Sequence, residues 1–137
     1  AKVDEFIDGM TALAGLLDDT FRISDIEERI QIRKQLFSPD GRGTRVLIML
    51  ERKIAESTTG WAAGTDEMSI ADLKLFAELF GLFSGNYDGL DSSMISGYTN
   101  LLNYHHKVAN EPRIMGHYAH VNTDDIRWTY LPDAFRE

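Results

Sequence analysis

The sequence predicts an all-α fold, a bundle of about five to six helices. The first two of three observations that predict it are that apolar residues recur at helical spacing along most of the chain and that helix-start motifs stand at Ser24 and Ser69. A third is that turn-forming sequences separate the periodic segments, and no alternating strand pattern competes with them. The 137 residues, 43% hydrophobic and 26% charged, suit one globular domain.

Composition excludes several classes of site and partner. Cysteine is absent, which rules out a disulfide framework, a thiolate metal site and a cysteine nucleophile. Such a chain is compatible with the reducing cytoplasm, where we expect the protein. The net charge of −8 would repel phosphates, so no nucleic-acid partner is predicted. No apolar run is long enough to cross a bilayer, so no membrane partner is predicted either.

The first two helices differ in how they begin. A stripe from Val3 to Leu17 predicts the first helix, and because no capping residue precedes it, we expect a missing part on the N-terminal side. The second helix is predicted to start with a capping box, Ser24-Asp25-Ile26-Glu27, and to end at Phe37. The turn sequence Ser38-Pro39-Asp40-Gly41 then leads into the third helix. Its apolar positions are Val46, Met49, Leu50 and Ile54.

The fourth helix has the strongest start signal in the chain. Ser69 and Asp72 form a predicted capping box, and Met68 and Leu73 hold the two positions of a hydrophobic staple. Ser69 and Asp72 are therefore structural capping residues. The predicted buried stripe is Leu73, Phe76, Ala77, Phe80 and Phe83, with further leucines on another side. A helix this apolar on most sides is predicted to be the buried central helix of the bundle.

The last third of the chain predicts two helices and a tail. A helical span runs from Ile95 to Val108, and Pro112 fits the first turn of a short final helix. The tail, residues 120–137, carries too many large apolar side chains to be freely solvated. We expect it to lie on the bundle or over a neighbouring cleft. Trp128 and its aromatic neighbours are either simple packing or a lid over an apolar pocket.

Four pieces in this order resemble a known domain: Val3-Asp4-x-x-x-Asp8-Gly9, a loop with Trp61 and Gly64, Ser69-Ile70-Ala71-Asp72, and Tyr98 followed by Val108-Ala109-x-x-Pro112-x-Ile114. Together they resemble the C-terminal domain of cytosolic glutathione transferases, with the sigma and pi classes closest. The similarity covers residues 1–119. No single one of these four motifs would be sufficient to establish the resemblance.

The resemblance implies a two-domain enzyme. A thioredoxin-like N-terminal domain, absent from this chain, would bind the co-substrate glutathione and supply the catalytic residue. The chain itself would then hold no catalytic residue and bind no cofactor alone. It would provide one wall of the electrophile pocket and part of the interface of a homodimer.

Candidate substrate-binding residues lie mainly on the first helix. Asp8 follows Asp4 by four residues, and small side chains continue the same region, which suggests a face that a ligand or a partner subunit approaches closely. A solvated acidic helix start is the alternative. In the resembled family a carboxylate of this helix often reaches the neighbouring subunit's glutathione, but Ala12 occupies the matching position here. The candidates are Asp8, Gly9, Ala12 and Gly15, with Trp128 from the tail.

The histidines do not predict a metal site. His117 and His120 share a helical spacing, but no further ligand joins them at a recognised spacing. The four histidines, His105, His106, His117 and His120, are therefore interpreted as surface residues.

Two classes of function, and a third variant, remain open. The parent protein would conjugate glutathione to electrophiles, or the domain would be a non-catalytic assembly module, as in translation factors and synthetase complexes. A thiol-reductase relative is the third hypothesis. Residues upstream of Ala1 would decide among them.

Overall fold

The computed structural model describes the backbone of residues 2–135 and the side chains of residues 5–135. Over this range the chain forms six α-helices and no strand, so the predicted fold class is confirmed. The side chains of Val3 and Asp4 lie outside the described residues. The α-helices are α1 (Lys2–Asp18), α2 (Ile26–Leu36), α3 (Arg42–Glu56), α4 (Ile70–Leu82), α5 (Thr99–Ala109) and α6 (Pro112–His117). Three 3-10 helices cover Asp19–Arg22, Ser92–Met94 and Ile126–Tyr130.

The core lies where α1, α3, α4 and α5 meet. Helix α1 packs against α3 and α4, and α5 packs against the same two helices. Helices α1 and α3 are antiparallel: Lys53 near the end of α3 reaches Glu5 near the start of α1 at 2.8 Å. Between these ends, a Cβ added to Gly9 would lie 2.8 Å from Met49 Cε, so the glycine allows a close crossing. No described helix is long and apolar enough to span a membrane.

Helix α4 is less enclosed than its composition suggests. Its buried residues form one face that includes Leu75, Leu79 and Phe80. Leu73, predicted to be buried in a staple, is 44% exposed, and Ala77 is also exposed. The predicted stripe was therefore wrong at these two positions, because α1, α5 and the segment Ile126–Tyr130 together leave part of the helix surface uncovered. Met68, the other staple position, packs against the core cluster.

Asp72 at the start of α4 is fully buried. Its Oδ2 accepts hydrogen bonds from the N–H of Ser69 at 2.8 Å and from the Ser69 hydroxyl at 3.2 Å. Its Oδ1 accepts from the N–H of Ala62 at 2.8 Å and from the Tyr104 hydroxyl at 2.7 Å. The predicted capping box is present. The same carboxylate also ties the preceding loop and α5 to the start of α4.

Two other helix starts differ from their predictions. Helix α2 is capped by Asp25, whose carboxylate accepts from the N–H groups of Glu27 and Glu28, so Ser24 is not the cap. Ile95 is fully buried but precedes α5, which begins at Thr99. The N-terminus of α5 is capped from α3, because the Glu51 carboxylate accepts from the N–H groups of Asn100 and Leu101, both at 2.8 Å. Such a long-range cap has no local sequence signal.

A cleft between α1, α4 and the C-terminal segment

The C-terminal segment returns to the bundle and forms one side of a cleft of about 370 Å³. Helix α1 contributes Met10 and Ala14 to this cleft, and α4 contributes Ala77 and Gly81. The 3-10 helix Ile126–Tyr130 lies on α4 and closes the third side. Most of the lining is apolar, which suits a site for an apolar small molecule.

Tyr130 holds the third side of the cleft in place. Its hydroxyl donates to the backbone carbonyl of Ala77 at 2.7 Å. A Cβ on Gly81 would lie 2.6 Å from the Tyr130 hydroxyl oxygen. Glycine at this position therefore leaves room for the Tyr130 hydroxyl to approach α4 closely.

The charged groups at the cleft are already paired within the chain. Glu78 pairs with Lys74 at 2.7 Å along α4. Arg127 pairs with Asp125 at 2.7 Å, and hydrogen bonds from Arg127 hold the pKa of the Asp125 carboxyl well below its ordinary value. These pairs sit at the exposed rim, so the apolar floor dominates what the cleft can bind.

None of the predicted substrate-binding residues lines the cleft. Asp8, Ala12 and Gly15 are exposed on α1, but none of them lines the cleft. Gly9 is buried against α3, where it serves helix packing. Trp128 also lies outside the lining: its indole N–H donates to the carbonyl of Ser84 at 2.8 Å.

The cleft uses neighbours of the predicted residues. Ala14 precedes Gly15 on α1, and Ile126 and Arg127 precede Trp128 in the segment. Ile126 is 60% exposed at the rim. A large aromatic residue such as Trp128 is a common candidate for ligand contact. The types of Ile126 and Arg127 carry no sequence signal of a binding role, which becomes visible only when the position of the segment on the bundle is known.

His105 is buried, so its interpretation as a surface residue was wrong. Its ring packs edge-on against Phe80 and Phe135, with ring centroids 4.6 and 4.8 Å away. Its Nε2 lies 2.5 Å from the carbonyl oxygen of Thr129, which joins α5 to the C-terminal segment. Burial lowers the pKa of His105 to about 4, although the Thr129 carbonyl opposes the shift.

The other ionisable side chains do not form a metal centre in the described part of the chain. Within residues 5–135, no group of three or more His, Asp or Glu side chains is placed to hold a metal ion. His117 and His120 are exposed near the end of α6.

Comparison with known proteins gives one match. A family model described as "Glutathione S-transferase, C-terminal domain" matches residues 25–120. The match spans α2 to α6, while α1 and the C-terminal segment lie on either side of it. Neither the curated proteins nor the solved structures give a match to the chain. With an all-helical fold and a family match over most of its length, the chain belongs to the glutathione S-transferase C-terminal domain family.

Proposed function

We propose that the chain supplies one wall of the electrophile pocket in a cytoplasmic, homodimeric glutathione transferase of the sigma or pi type. The cleft between α1, α4 and the C-terminal segment carries this proposal. In the complete protein a thioredoxin-like N-terminal domain binds glutathione and activates its thiol. This chain holds the electrophile near that thiol, so its contribution to the rate is proximity and orientation.

An exposed apolar strip on α4 supports a second domain beside the cleft. Ile70 is 69% exposed, Leu73 is 44% exposed, and Ala77 continues the strip to the cleft. Burying such a strip against another domain removes apolar surface from water, which is favourable by about 25 cal/mol per Å². An N-terminal domain seated here closes the open side of the cleft.

The isolated chain is expected to show no conjugation of glutathione with a chromogenic electrophile. Thiol activation requires the other domain, and no cysteine is available here to act as an alternative nucleophile. The measurement is the absorbance change of the product over the uncatalysed background. Turnover by the chain alone would contradict the assignment of thiol activation to the N-terminal domain.

Ala14→Trp is expected to obstruct the cleft in the complete protein. The added indole occupies space between α1 and Gly81, so the KM for an apolar electrophile should rise about tenfold or more while the KM for glutathione stays within about twofold. Steady-state kinetics with each substrate varied separately measures the difference.

Ala55→Trp is the matched control, because Ala55 is exposed on α3 and does not line the cleft. It should leave both KM values unchanged. Equal effects of the two variants, or no effect of Ala14→Trp, would contradict a binding role for the cleft.

An assembly module is the second candidate function. The observation that favours it is the pairing of the polar groups at the cleft, since Glu78 and Arg127 already have partners and leave few groups to orient a small molecule. If the complete protein lacks glutathione conjugation and the α4 strip binds another protein, this candidate replaces the enzyme.

A further inference from the structure

The loop that follows α4, residues 84–89, adds polar groups to the otherwise mostly apolar cleft. Ser84, Asn86 and Tyr87 line the cleft from this loop, and each has a neutral side chain that forms hydrogen bonds. In small-molecule sites a few such groups fix the orientation of an otherwise apolar ligand. We propose that this loop is a subsite for an uncharged oxygen acceptor, such as a ketone carbonyl, on the bound molecule, with the Tyr87 hydroxyl as the donor.

The Tyr87 hydroxyl is available to a ligand. No described residue forms a hydrogen bond with it. In the described part of the chain, the buried side-chain atoms that lack a partner are Arg33 Nη2 and Thr129 Oγ1, so the hydroxyl of the half-buried Tyr87 is accessible. The Tyr87 ring packs edge-on against Phe21, with 5.7 Å between the ring centroids. The protein therefore holds the ring and leaves the hydroxyl unpaired.

Tyr130, the other tyrosine of the cleft lining, does not fit this role. Its hydroxyl donates its one proton to the carbonyl of Ala77 at 2.7 Å. Burial, followed by the neighbouring Tyr118 and Tyr87, raises the pKa of Tyr130 above its ordinary value, so this hydroxyl stays protonated and bonded to α4. Tyr87 is the tyrosine whose proton remains for a ligand.

The loop is anchored on both sides of Tyr87. Before it, the carbonyl of Ser84 accepts a hydrogen bond from the indole N–H of Trp128 at 2.8 Å. After it, the guanidinium of the buried Arg33 donates to the carbonyl of Asp88 at 2.9 Å. Tyr87 thus stands between two points that are tied to other segments of the fold.

A glycine brings the end of the loop onto α2. Gly89 has a φ of +79°, and a Cβ at this position would lie 3.0 Å from the Cα of Ile30. Beside it, Arg29 pairs with the Asp88 carboxylate at 2.5 Å. These contacts fix the loop before a ligand arrives, so a hydrogen bond from the loop requires little further ordering.

The charges of the cleft favour an uncharged ligand. Arg127, the one cation of the described lining, is already paired with Asp125. A carboxylate ligand would also meet Glu78 at the rim and a chain whose net charge is −8. A ketone oxygen accepts a hydrogen bond without this repulsion, so the subsite selects a neutral acceptor over an anion.

The inference rests on the proposed function, in which the electrophile occupies this cleft. It narrows the electrophile to a molecule with an apolar body and a neutral oxygen acceptor. The test uses unreactive molecules, without glutathione and without another domain. The subsite can therefore fail while glutathione conjugation by the complete protein stands, and conjugation can fail while the subsite stands.

The test compares the binding of acetophenone and ethylbenzene, which differ by a carbonyl in place of a methylene group. Titrations of the isotopically labelled chain, followed by NMR, give a Kd for each molecule. Tyr87→Phe should raise the Kd of acetophenone about fivefold, the contribution of one neutral hydrogen bond, and leave the Kd of ethylbenzene within about twofold. Benzoate, a carboxylate of similar size, should bind the wild type about tenfold more weakly than acetophenone.

Tyr118→Phe is the matched control, because Tyr118 is half-buried like Tyr87 and does not line the cleft. It should leave every Kd unchanged, and equal urea midpoints for the wild type and both variants would show that the fold is intact. The proposal is overturned if Tyr87→Phe weakens acetophenone and ethylbenzene equally or affects neither. Benzoate binding as tight as that of acetophenone, or no binding of any of the three molecules, would also overturn it.

Discussion

Replacement of Asp72 by alanine is expected to destabilise the fold by about 4 kcal/mol. Loss of a helix cap alone costs about 1 kcal/mol. Here the carboxylate is fully buried and accepts four hydrogen bonds, two of them from outside the capping box, Ala62 N–H and the Tyr104 hydroxyl. Its removal leaves buried donors without partners, at about 1–3 kcal/mol each before relaxation. Urea denaturation of the chain measures the difference.

Two further variants separate the cap from the buried network. Ser69→Ala removes one hydroxyl and should cost about 1 kcal/mol. Tyr104→Phe completes a double-mutant cycle with Asp72→Ala across the 2.7 Å hydrogen bond, and a coupling of about 1 kcal/mol or more is expected. Burial and the neighbouring Asp72 raise the pKa of Tyr104 well above its ordinary value, so its hydroxyl stays a donor. Equal costs for Asp72→Ala and Ser69→Ala would show that only the cap matters.

His105 is expected to make the fold sensitive to mild acid. In the folded chain its pKa is lowered to about 4, against an ordinary value of 6.5. The unfolded chain therefore takes up a proton first as pH falls, so stability is highest above about pH 6.5 and declines between about pH 6.5 and 4. Below that range both states are protonated and the loss levels off. The full loss is about 3 kcal/mol at most.

The measurement compares unfolding free energies of wild type and His105→Gln at pH 7 and pH 4.5. The variant is expected to be less stable at pH 7, because the ring contacts with Phe80 and Phe135 are lost. Its stability should nevertheless fall by about 2 kcal/mol less than that of wild type over this range. His117→Gln removes an exposed histidine and should follow the wild type. Parallel pH profiles for His105→Gln and wild type would contradict the prediction.

The sequence was sufficient for the elements whose signals are local. Helical spacing, the Ser69–Asp72 box and Pro112 at the first turn of α6 predicted three features that the structure contains. The family was predicted from the Ser69–Asp72 box together with the other motifs of the resemblance, and residues 25–120 match the family's model. The capping box predicted at Ser24 was wrong, because the carboxylate of the adjacent Asp25 caps α2.

The cleft could not be predicted because its sides are far apart in the chain. Periodicity on α1 predicted that side chains at Asp8, Ala12 and Gly15 share a face, which is exposed. It could not show that the cleft lies on another side, next to Ala14. The position of the C-terminal segment decided that, and this position depends on the contacts of Tyr130 with α4 and of His105 with Thr129.

The sequence by itself determined that this protein is a helical bundle with a firmly capped central helix, because helical period and capping are encoded within a few residues. Its family followed from a resemblance carried by several motifs in order, and the family match over residues 25–120 confirms it. Only the tertiary structure decided which side of α4 is buried, how many partners Asp72 has and where a cleft opens. Each of these features depends on segments that are distant in sequence and come into contact only after the chain has folded. No local sequence pattern can therefore predict these features.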